Sequence, residues 1–72
     1  MSKTLKKMLF LGMNVSLSDA DGTKACMTAG DEFELETVTE WHVEDYIIIV
    51  QDKEFGIGPL TYLNIINQSR PV

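Results

Sequence analysis

The stretch Asp31-Glu32-Phe33-Glu34-Leu35-Glu36-Thr37-Val38-Thr39-Glu40-Trp41 carries the clearest structural signal in the chain. Phe33, Leu35, Thr37, Thr39 and Trp41 share one parity; Glu32, Glu34, Glu36, Val38 and Glu40 share the other. Successive strand side chains point to opposite faces, so this period of two describes a half-buried antiparallel strand with glutamates on its solvated side. The next run, Tyr46-Ile47-Ile48-Ile49-Val50, is β-branched and bounded by polar residues, and reads as a more deeply buried strand. Ile47 and Ile49 are the expected inward residues. The run has no polar position to set its phase, so Ile48 remains the alternative.

Working outward, Gln51-Asp52-Lys53-Glu54 reads as a turn and Phe55-Gly56-Ile57 as the returning strand of a hairpin. Upstream, Asn14 to Leu17 and Thr23 to Met27 flank Asp19-Ala20-Asp21-Gly22, which describes a second hairpin or an irregular excursion. Ala29-Gly30-Asp31 turns into the glutamate strand. Pro59 lacks an N–H and stops ladder pairing. Leu60-Thr61-Tyr62 fits a 3₁₀ turn, and Leu63-Asn64-Ile65-Ile66 a short closing strand. Residues 1–7 are expected to be a flexible basic tail and residues 69–72 a C-terminal tail. The expected fold is all-β, with five or six short antiparallel strands closed into a small barrel, because closure removes exposed edges. Phe33, Leu35, Ile47, Ile49 and Ile57 form the expected core, with Val15 a further candidate and Cys26, Met8, Met13 and Met27 as fillers.

Composition sets limits on function. A chain of 72 residues is one domain, and a core this small leaves little room for a large substrate cavity. Eleven acidic residues against six basic ones give a net charge of −5, the opposite of a nucleic-acid binder. The single cysteine allows no internal disulfide and suits a reducing, cytoplasmic compartment. Lys3, Lys6 and Lys7 precede the apolar run Met8 to Leu11, which is shorter than the ~7–15 residues of a secretory h-region. No apolar stretch reaches the ~20 residues of a membrane span.

The C-terminal half resembles the SH3 family. That family has a Gly-Asp pair entering an alternating strand, as in Ala29-Gly30-Asp31-Glu32-Phe33-Glu34-Leu35. It has an acid and aromatics opening the next strand, where Asp45-Tyr46-Ile47 stands. It closes on a Gly–apolar–Pro–Tyr element, matched by Gly56-Ile57-Gly58-Pro59-Leu60-Thr61-Tyr62-Leu63. The match covers about Thr28 to Ile66. The family's N-terminal Ala-Leu-Tyr-Asp-Tyr segment has no counterpart; Val15-Ser16-Leu17-Ser18-Asp19 stands near its place. The resemblance implies an SH3-like barrel and a protein-binding face built from Tyr46, Pro59 and Tyr62. Trp41 is expected to border that face, with Asp19 and Asp21 meeting a basic residue of the partner.

Two functions are consistent with these residues. The first is a non-enzymatic protein–protein interaction module that holds a protein segment on the aromatic face. The second is a small acidic inhibitor, of the kind phages encode, that presents Glu32, Glu34 and Glu36 to a basic site on a host enzyme and is steered there by its field. No acid–base pair or nucleophile stands out, so an enzyme is not expected. His42, Glu44 and Asp45 lack the spacing of a metal site, and no cofactor, nucleic-acid or membrane partner is expected. The residues leave the oligomeric state open.

Overall fold

The glutamate-rich stretch is the central strand of the sheet. A computed structural model describes residues 2–19 and 21–72. Met1 of the expected tail and Ala20 of the expected Asp19–Gly22 turn lie outside the described residues. In chain order the elements are β1 (Ser2–Phe10), β2 (Val15–Ser18), β3 (Lys24–Met27), β4 (Glu32–Glu40), β5 (Val43–Val50), β6 (Lys53–Ile57), α1 (Pro59–Ile66) and β7 (Ser69–Pro71). One antiparallel sheet runs β6-β5-β4-β1-β7, and β2 with β3 forms a separate hairpin. The protein is therefore mostly β, with more strands than expected and one short helix.

Both expected tails are in the sheet. Ser2 to Lys7 belong to β1, which pairs with β4 from Ser2↔Thr39 to Leu9↔Glu32. The lysines look like a solvated tail in sequence, but Lys3 and Lys7 share a sheet face with the β4 glutamates. Lys3 Nζ lies 2.7 Å from Glu36 and Lys7 Nζ 3.5 Å from Glu32. Ser69–Pro71 pair with Met8, Leu9 and Phe10 as the edge strand β7.

The segment after Pro59 is an α-helix, not a 3₁₀ turn followed by a strand. Pro59 sits at the first helical position, where its missing N–H is no loss and its fixed φ suits the helix. Tyr62 N donates to Gly58 O at 2.9 Å. Tyr62, Ile65 and Ile66, spaced at i, i+3 and i+4, turn toward the core, and Leu60 and Leu63 stay exposed. Leu60 and Leu63 widen the apolar side and leave only Thr61 and Asn64 to mark the polar one, which hides the helical period.

Neighbouring strands settle the phase of β5. Phe33 and Leu35 are buried as expected, and Leu35 pairs with Ile48. Ile48 and Val50 therefore point inward, and Ile47 and Ile49 are the half-buried residues of the opposite face. Ile57 and Val15 pack at the margin of the core. Met8, Phe10, Leu17, Met27, Phe55 and Ile65 complete it. Met13 and Cys26, expected as fillers, are exposed instead. Cys26 pairs with Ser16 on the outer side of the β2–β3 hairpin, whose inner side carries Leu17 and Met27.

The strands meet in tight turns. Glu40 pairs with Val43 and Val50 with Lys53, leaving two residues in each turn. Trp41, His42, Gln51 and Asp52 all have positive φ, as a primed two-residue hairpin turn requires. Only Trp41 and His42 lie outside the ladder between β4 and β5, and Trp41 thereby leaves the Phe33 face for the turn.

Candidate functional site

Most of the inner sheet face is covered, but one end is not. β1 and β4 are nine residues each, about 30 Å at ~3.3 Å per residue. The eight-residue helix spans only about 12 Å at ~1.5 Å per residue. The uncovered inner positions are Thr4 and Lys6 of β1, Thr37 and Thr39 of β4, and Glu44 of β5. They floor a groove of about 530 Å³ whose wall is Tyr46, Tyr62 and Ile66, closed at one side by Ser69 and Pro71. The polarity of the floor fits its exposure to water.

The wall is built from residues far apart in sequence. The Tyr46 and Tyr62 rings stack with centroids 3.8 Å apart and planes 10° from parallel. Tyr46 comes from β5, opposite Thr37 of β4 and Ile57 of β6; Tyr62 comes from the inward side of α1. The Tyr46 hydroxyl donates to Glu44 Oε2 at 2.6 Å. That hydrogen bond to a carboxylate, with the adjacent negative charge, pushes the phenol up to about 12. Glu44 is thereby held at the groove end of the β4–β5 hairpin.

The remaining expected site residues lie elsewhere. Trp41 is 88% exposed at the tip of the β4–β5 hairpin, two residues beyond Thr39. Pro59 opens α1 and does not line the groove. Asp19 and Asp21 flank the β2–β3 turn, also away from the groove lining. Asp21 Oδ1 accepts from Thr23 N at 2.8 Å, and its bonds to Thr23 hold the carboxyl below its ordinary range. The structure therefore brings together Tyr46 and Tyr62, with Trp41 on the hairpin that bounds them.

The acidic flank is partly neutralised. Glu32, Glu34 and Glu36 share the outer face of β4, but Glu36 is only 5% exposed under Lys3, whose pKa that carboxylate raises. Lys7 approaches Glu32. The groove residues Thr4, Lys6, Thr37, Thr39 and Glu44 were missed as site residues. For Thr4, Lys6, Thr37 and Thr39 the signal is present in the sequence, as polar side chains continuing the parity of Met8 or of Phe33 and Leu35 past the end of the apolar run; Glu44 follows the phase of β5, which only the pairing fixes.

Among the described residues, no cluster of three or more His, Cys, Asp or Glu side chains is arranged to hold a metal ion, and no helix is long and apolar enough to cross a membrane. The chain matches no protein-family model, no curated protein and no solved structure.

Proposed function

We propose that this chain is an SH3-like small barrel acting as a non-enzymatic binding module, which holds an extended protein segment in the groove walled by Tyr46 and Tyr62. The observation that carries this reading is the stacked tyrosine pair beside an uncovered sheet end. Aromatic side chains give large contact area at low rotamer cost, so a stacked pair along a groove is a ready anchor for apolar or proline residues of a partner. Trp41 supports it further. A bulky residue at positive φ with almost its whole side chain in water serves neither the turn nor the core, and exposed tryptophans are frequent interface hot spots. Glu44 at the groove favours a partner segment that carries a basic residue. A cytoplasmic, reducing setting suits the exposed thiol of Cys26.

The acidic-inhibitor reading draws less support, because Lys3 and Lys7 offset part of the glutamate stripe it relies on. A displayed random peptide library panned against the protein tests the groove. Thr39→Arg fills the groove floor without touching the core and serves as the counter-target. Peptides sharing apolar and basic positions, retained by the native chain and lost on Thr39→Arg, are the expected result. Peptides that bind both proteins equally, or none enriched, overturn the assignment.

A further inference from the structure

The outer face of the five-stranded sheet, opposite the groove, has a charge pattern that a solvated face does not need. Lys3 and Lys7 of β1 and Arg70 of β7 lie on this face, as the registers with Val38, Glu34 and Leu9 require. Asp45 of β5 and Glu54 of β6 lie on it toward the other edge, and the central strand β4 carries Glu32, Glu34, Glu36 and Glu40 between the two. One edge of the face is thus cationic and the other anionic. Interspersed with these charges are Leu5, Leu9, Val38, Ile47 and Ile49; Leu5 is 57% exposed and the others are half-buried. No element covers this face among the described residues.

We propose that this face is self-complementary and pairs two copies of the chain, sheet on sheet. Charge decides the orientation. A two-fold axis parallel to the strands lays the cationic β1–β7 edge of one copy over the acidic β5–β6 edge of the other, and a perpendicular axis lays like on like. Stacked sheets sit about 10 Å apart, so the apolar residues of the two copies interdigitate between the charged edges. At ~3.3 Å per residue and ~4.8 Å between strands the sheet presents roughly 540 Å² in plan. That is about two thirds of the ~800 Å² per partner of a standard interface, so the dimer is a weak and salt-sensitive one. The same axis lays one β4 over the other. Lys3 holds Glu36 and Lys7 holds Glu32, but Glu34 and Glu40 have no ion-pair partner among the described residues and meet their own copies. Glu34 and Glu40 therefore limit affinity.

Sedimentation equilibrium on the full chain, at about 50 mM and about 500 mM salt, tests this. The native chain is expected to dimerise at low salt and weaken at least tenfold at high salt. Lys7→Glu with Arg70→Glu, and separately Asp45→Lys with Glu54→Lys, should each be monomeric with unchanged circular dichroism, since all four side chains are exposed. An equimolar mixture of the two variants should recover a heterodimer, and Glu34→Gln should dimerise several-fold more tightly than the native chain. A native chain monomeric up to about 1 mM overturns the proposal. So does a dimer that both double variants leave intact, or a mixture that stays monomeric. None of these outcomes bears on the groove, which lies on the opposite face.

Discussion

Replacing Trp41-His42 by Asn-Gly separates what this turn does for folding from what it does for binding. The two residues have φ of 52° and 65° and are the centre of a two-residue hairpin turn, for which Asn-Gly is the favoured pair. The left-handed region costs a residue with a Cβ roughly 1–2 kcal/mol, asparagine less, and glycine nothing. Glycine loses about 0.5–1 kcal/mol of that advantage through its freer unfolded chain. Trp41 is 88% exposed, so little buried area is given up. The balance is a gain of about 1 kcal/mol, a rise in Tm of ~4–8 °C for a domain of this size. Thermal melts followed by far-UV circular dichroism measure it. Affinity for a groove-selected peptide, measured on the same variant, should fall at least tenfold. The matched exchange Gln51-Asp52→Asn-Gly relieves the same strain at the other hairpin and should raise Tm with affinity unchanged. A lowered Tm for the Trp41-His42 variant would refute the reasoning, because the indole would then be stabilising the fold. A raised Tm with full affinity would remove Trp41 from the binding face.

The inward phase of β5 implies that Ile48→Ala costs about 2–5 kcal/mol, and the half-buried Ile47→Ala clearly less; equal midpoints in urea denaturation would contradict the assigned phase. The bond from Tyr46 to Glu44 raises the phenol's folded value above its unfolded one. Its contribution is therefore full below pH about 10 and lost as pH rises toward 12. Absorbance titration should show the Tyr46 phenolate forming late, and Glu44→Gln should bring it earlier. At Gly12 an added Cβ would overlap the Gln68 amide oxygen and lie 2.7 Å from the Gln68 Cβ. Gln68 is fixed there by accepting from Met13 N and donating to Asn64. Gly12→Ala should cost about 1–3 kcal/mol, and adding Gln68→Ala should recover part of it; additive losses would show the contact is not the cause. Deleting residues 69–72 removes β7 and its pairing with Met8 and Phe10, so Tm should drop by several degrees, whereas an unchanged melt would mean that β7 adds nothing to the sheet.

Local chemistry is enough to read parts of this protein. The alternation from Glu32 to Glu40 needs no partner to be recognised as a strand, because polarity alone marks its two faces. Gly30 and Gly22 mark turns for the same reason: both take positive φ, which glycine adopts without a Cβ penalty. What the sequence left undecided depends on neighbours. The phase of Tyr46–Val50 was open because an all-apolar run has no polar face, and only its pairing with Leu35 turned Ile48 inward. The lysines of β1 resemble a solvated tail until the glutamates of β4 lie beside them. Thr61 and Asn64 mark only a narrow polar side between Leu60 and Ile66, so the sheet beneath selects Tyr62, Ile65 and Ile66 over Leu60 and Leu63 as the buried side. The groove follows from lengths rather than from any motif. A helix of eight residues rises about 12 Å and cannot cover strands of about 30 Å, so the polar inner residues of β1 and β4 stay open beside a tyrosine pair that the chain brings together from sixteen residues apart.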